Sequence, residues 1–226
     1  MSLDIDIWLN NYSSAVKCLF GSRLIFLGIQ GSYGRGEATE NSDIDVIVIL
    51  DYVNSADLKA YSSMLDTLEH REKVCGFISG KQELLNWESF DLFQFYHDTA
   101  PLFGDIDFLI PEISMLDTCH RAIHIGACNI YHMCGHNIVH EKNTEILKSL
   151  YKSAAFVVQA IVFDQTGAYI KQKAALADAV HEREKEILQA GTMLKEQQNI
   201  SQADFEQLSE LLFNWSSELI TKYKVK

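Results

Sequence analysis

Two short apolar runs, LIFLGI at 24–29 and DIDVIVIL at 43–50, stand on either side of the glycine-rich polar stretch QGSYGRGEATENS, and this pattern constrains the fold more than any other. Runs of this length, bounded by turn formers, read as buried strands rather than helices. Side chains at i and i+2 of a strand share a face, so Asp43 and Asp45 are expected side by side while Ile44, Val46 and Val48 point the other way. Two carboxylates that close repel each other unless a positive group lies between them. A divalent cation is the natural occupant.

The neighbouring sequence supplies further elements. Ile5, Trp8, Leu9, Tyr12, Val16 and Leu19 recur at helical spacing and Gly21 offers a stop, which predicts a helix over 4–20. SYGRGEATENS reads as a turn with a short helix, 56–71 as an amphipathic helix, and KVCGFIS as a third strand. The segment KQELLNWESFDLFQFYHDTAPLFGD reads as mostly helical until Pro101 breaks it, with Trp87, Phe90, Phe93, Phe95 and Tyr96 as an aromatic core cluster. Beyond Pro111 the pattern is helical throughout. A long helix opens at Ser114 with Asp117 three residues on, and further helices follow near 144–165, 171–190 and 202–222. The one containing AAFVVQAIVF is the central helix of the bundle.

The charge balance, 31 acidic against 19 basic residues for a formal net charge of −12, repels phosphate backbones and argues against a general nucleic-acid binder. It leaves room for a local pocket that takes one nucleotide. Five cysteines without CxxC spacing argue against a disulfide framework or zinc ribbon and suit a reducing cytoplasm. MSLDIDIWLN carries acids where a signal peptide needs basic residues, and AAFVVQAIVF is too short to span a bilayer, so no membrane partner is expected.

Gly31-Ser32, ten residues, then Asp43-Ile44-Asp45-Val46, set between two apolar strands, resembles the signature of the DNA polymerase beta-like nucleotidyltransferase superfamily. The stretch GSYGRGEATENSDIDVIV is similar to the minimal branch that includes the kanamycin and streptomycin nucleotidyltransferases. The resemblance implies an α+β chain: a small mixed sheet flanked by helices over 1–111, then a helical bundle domain over 112–226. It also implies transfer of a nucleoside monophosphate, AMP above all, from an NTP to a hydroxyl of an acceptor. Asp43 and Asp45 are then the catalytic metal ligands for a two-metal Mg²⁺ site. Gly31 permits close backbone approach, Ser32 and the helix-start amides bind phosphate, Arg35 adds a bidentate contact, and Ser42 borders the metal pair. Lys152 corresponds to the lysine that the antibiotic enzymes present from their helical domain.

The chain departs from the family in one respect. The strand expected to carry a third carboxylate reads Val74-Cys75-Gly76-Phe77-Ile78-Ser79 and has no acid; Asp91 and Asp107 are the substitutes to consider. Glu141 and Glu145 are candidates for the general base. His120, His124, Cys128, His132, His136 and His140 step every fourth residue, but that stripe drifts by about 40° per step around a helix and does not converge on one metal. The run HEREKE at 181–186 is a solvated face. The leading function is transfer to a small, aminoglycoside-like cationic acceptor. The alternatives are a catalytically weak or inactive nucleotide-binding module, and an antitoxin-like transferase that modifies a partner protein.

Overall fold

The computed structural model describes residues 3–114, 118–197 and 199–224. The chain divides into two compact units, Met1–Ser114 and Met115–Lys226.

The first unit is built on a four-stranded sheet. Helix α1 (Ile5–Phe20) opens at Asp4, whose carboxylate accepts from the Ile7 amide at 3.2 Å, and stops at Gly21, φ 54°. It buries Trp8, Tyr12, Val16 and Phe20, one residue per turn along a single stripe. β1 (Leu24–Gln30) runs into α2 (Gly31–Arg35), and β2 (Ile44–Leu50) returns antiparallel to β1. α3 (Ser55–Leu65) crosses over to β3 (Val74–Gly80), which lies parallel to β2. α4 (Lys81–Leu85) and α5 (Ser89–Asp98) lead to β4 (Ala100–Phe103), antiparallel to β1 on the far side. The order is β3-β2-β1-β4, and a short helix α6 (Ile110–Ile113) closes the unit.

Alternation along β2 separates two cores. Ile44, Val46, Val48 and Leu50 pack with α1 and with Leu65 of α3, whereas Ile47 and Ile49 pack with Leu84, Leu92 and Leu109. Asp45 therefore belongs to the Ile47 face. Asp43 stands one residue ahead of the strand, which begins at Ile44.

Two predicted elements of the first unit differ. The helix expected to reach residue 71 ends at Leu65, where Thr67 turns its hydroxyl and its amide back onto the Met64 carbonyl. The helix expected to run to Pro101 ends at Asp98, and Pro101 sits in β4 opposite Gly28. β4 is an edge strand, where a proline removes no ladder hydrogen bond the sheet requires.

The second unit is helical: α7 (Thr118–His136) with a π-turn Asn137–Glu141, then α8 (Thr144–Thr166), α9 (Lys173–Ala179), α10 (Glu182–Glu196) and α11 (Gln202–Lys222). Asp117, expected to help open the first of these, lies outside the described residues. The helix expected over 171–190 is two: the chain breaks at Val180–His181, and α10 continues through Gly191, whose side faces Tyr151 of α8. At 23 residues α8 is long and apolar enough to cross a membrane, contrary to the expectation from AAFVVQAIVF alone. Leu147, Tyr151, Ala154, Val158 and Ile161 of that helix are buried within the unit.

Candidate active site

The site is made where β1 ends, α2 begins and β2 starts. Gln30 pairs with Asp45 across the antiparallel ladder, which brings the entrance of α2 beside the acidic end of β2. Gly31 has φ 65°, a left-handed conformation that a side chain disfavours. Its surroundings demand glycine as well: a Cβ there would lie 2.0 Å from Asp45 Oδ2. The backbone thus approaches the carboxylate as closely as glycine allows. α2 ends on Gly36, also left-handed at φ 73°, with the Glu37 amide returning to the Ser32 carbonyl at 2.8 Å.

The return to β2 is a tight turn. Ser42 Oγ accepts from the Thr39 amide at 2.9 Å, its own amide donates to the Thr39 carbonyl at 3.0 Å, and the Lys73 ammonium donates to the Glu40 carbonyl. Ser42 thereby shapes the approach to Asp43. Asp43 is exposed, and Asp45, Ser32 and Gly31 are half-buried, so the acids and the first turn of α2 both open to solvent. The amides of a helix's first turn lack acceptors within the helix and favour anions, phosphate among them.

Arg35 behaves differently from the phosphate contact expected of it. Its side chain is almost fully buried, with Nη1 donating to Asp98 Oδ2 at 3.0 Å and Nε donating to Glu37 Oε2 at 3.2 Å. Neither Asp98 nor Gln30 was legible as part of this site. Asp98 lies 63 residues from Arg35, in a segment with no local acid motif.

β3 lies where the third strand was expected, and Cys75 faces Asp45 in the parallel register. The place beside Asp45 is therefore held by an exposed thiol. Asp91 sits on α5, where Trp87 Nε1 donates to it at 3.3 Å and burial pushes its carboxyl up. Asp107 accepts from the Tyr96 hydroxyl at 3.1 Å. Among the described residues, no three His, Cys, Asp or Glu side chains form a metal-binding group.

Lys152, Glu141 and Glu145 belong to the second unit. Lys152 is exposed on α8; Glu141 pairs with His136 at 3.3 Å, and Glu145 with Lys148 at 2.9 Å. Along the histidine stripe, His120 pairs with Asp164 at 2.9 Å and His136 lies beside His140. Burial pushes the Cys119 thiol up to about 12 and that of Cys134 up to about 11, so neither is a ready nucleophile.

The site is thus a strand, a glycine-opened helix and a returning strand with one acid just ahead of it and a second within it. Residues 9–89 match the family model described as a nucleotidyltransferase domain. A protein of Methanocaldococcus jannaschii, provisionally named a protein adenylyltransferase, is 42% identical over 50 residues, which cover 22% of this chain and 47% of the relative. The chain thus spans about half the length of the curated relative it matches. Among solved structures, spectinomycin adenyltransferase AAD(9) from Enterococcus faecialis, determined with ATP and spectinomycin, superposes with a TM-score of 0.60 at 14% identity. That match covers 96% of this chain and 99% of the other, and shows a shared fold.

Proposed function

We propose that this chain is a nucleotidyltransferase that moves a nucleoside monophosphate, AMP above all, from an NTP to a hydroxyl of a small cationic acceptor. The observation that carries the reading is the seat of Gly31 against Asp45, where a Cβ would lie 2.0 Å from the carboxylate oxygen, so that the first turn of α2 stands beside that carboxylate. A net charge of −12 supports a cationic acceptor. ATP in the solved structure of similar fold supports adenylate as the transferred group.

The donor set fits Mg²⁺, which takes oxygen ligands and is commonly held by one or two carboxylates together with substrate phosphates. Asp43 and Asp45 are the residues that would hold it. When bound, the metal neutralises charge on the phosphoryl oxygens. The chain's own part is to orient. Ser32 and the first-turn amides of α2 grip the β- and γ-phosphates, which leaves the α-phosphorus toward the acids of β2. The acceptor oxygen then attacks the α-phosphorus, the bond to the bridging oxygen breaks, pyrophosphate leaves, and the hydroxyl proton passes to a base or to water. The five free thiols support a reducing cytoplasm as the setting.

Purified protein with Mg²⁺ and ATP, screened over aminoglycosides and related cations, is expected to release pyrophosphate, and Asp43→Asn with Asp45→Asn to reduce that release about a thousandfold. Absence of release with every NTP and acceptor, together with no Mg²⁺-dependent ATP binding, overturns the proposal. A second reading, transfer to a partner protein, is favoured by the name of the archaeal relative. It predicts nucleotide covalently attached to a protein rather than to an antibiotic, visible by intact mass.

A further inference from the structure

One segment at the end of α5 holds α2 at both ends. At its head, Gln30 Nε2 donates to Thr99 Oγ1 at 2.6 Å and to the Phe95 carbonyl at 3.3 Å. At its tail, Arg35 Nη1 donates to Asp98 Oδ2 at 3.0 Å, and the two side chains are only 8% and 7% exposed. Between these anchors Gly34 comes so near that a Cβ would stand 2.8 Å from the Ile29 carbonyl oxygen. An arginine seated this deeply on a carboxylate is not available to an incoming phosphate. Swinging it outward would leave Asp98 as a buried, uncompensated anion.

We propose that Asp98 is a positioning residue of the nucleotide site. Through Arg35 it fixes α2, so that Gly31 and the first-turn amides stay against Asp45. Arg35 is the tether and not a phosphate ligand. The inference rests on the reading of residues 31–45 as the nucleotide site.

A tether and a phosphate ligand respond oppositely to substitution. A buried ion pair can often be exchanged for packed apolar side chains, whereas removal of one partner strands the other's charge. Asp98→Asn removes the buried partner of Arg35 and leaves its contact with Glu37: a tether then loosens α2 and raises the KM for ATP about tenfold with a smaller change in kcat, whereas a phosphate ligand gains access and lowers KM. Arg35→Met alone raises KM under either reading. The pair Arg35→Met with Asp98→Leu recovers most of that loss only if the arginine is a tether.

The steady-state constants for pyrophosphate release are measured beside amide hydrogen exchange of residues 32–35 without nucleotide. Faster exchange in Asp98→Asn, restored protection in the apolar pair and a matching recovery of KM support the inference. A pair that protects α2 yet binds ATP as poorly as Arg35→Met overturns it, as does a lower KM in Asp98→Asn. Wild-type protein that neither binds nor turns over ATP overturns the functional reading instead, and the exchange data still decide whether Asp98 holds α2. Should Asp98→Asn fail to fold, the apolar pair set against Arg35→Met alone provides the deciding comparison.

Discussion

Replacing Gly31 by alanine tests the geometry on which the functional reading depends. Two costs separate cleanly. An L-residue held at the φ of 65° found here costs about 1–2 kcal/mol. The new methyl would also stand 2.0 Å from Asp45 Oδ2, where ordinary contact begins at 3.4 Å, so the carboxylate must retreat by about 1.4 Å. Pushing Asp45 off its rotamer adds about 1 kcal/mol, for a total of about 2–3 kcal/mol and a fall in Tm of about 5–10 °C. The functional cost is larger, because a 1 Å misplacement of a catalytic group costs about a hundredfold.

Gly36→Ala is the control for that experiment. Gly36 shares the left-handed φ, at 73°, but a Cβ there meets nothing within 4 Å. It therefore carries the backbone cost of about 1–2 kcal/mol alone and leaves transfer within a few-fold of wild type. Pyrophosphate release and Mg²⁺-ATP thermal shift are measured on both variants. If Gly31→Ala is no worse than Gly36→Ala in either assay, the close approach to Asp45 has no functional role and the reasoning fails.

Gly76→Ala places a Cβ 1.9 Å from the Val46 carbonyl oxygen at φ 138°, against backbone that cannot yield without opening the β2–β3 ladder; a loss of about 3 kcal/mol or more in chemical denaturation is expected. Asp57 accepts both Nη groups of Arg23, at 2.7 and 3.0 Å, and Arg23 holds its carboxyl below the usual range. With the folded-state value depressed, the stability from this pair is complete above the unfolded value of about 4 and is lost as pH falls through the lowered one. Asp57→Asn should lower stability at neutral pH and flatten that acid slope in a circular-dichroism titration; an unchanged slope removes the pair from the acid response. Tyr151→Phe deletes a buried hydroxyl that donates to the Leu208 carbonyl at 2.8 Å and should cost the second unit about 1–2 kcal/mol in thermal unfolding.

Much of the candidate site's local geometry was readable because its information is local. Gly31, Ser32, Asp43 and Asp45 fall within fifteen residues, and the period of the strand sends alternate side chains of β2 into two different cores. The empty third-acid position was equally readable, since β3 forms where its apolar run predicted and sets Cys75 beside Asp45. Arg35 was legible as a cation on the short helix that follows β1. Its partner was not, because Asp98 arrives from the end of another helix.

What the order of residues determined by itself is the pattern of strands, glycines and paired acids, since φ preference, side-chain alternation and like-charge repulsion act over a few neighbouring positions. Tertiary packing alone decided that Pro101 joins an edge strand, that an α8 long enough for a bilayer buries its apolar side chains within its own unit, and that Arg35 is occupied by a carboxylate. Each of those outcomes depends on which distant groups compete for the same surface or charge, and that competition exists only once the chain has folded.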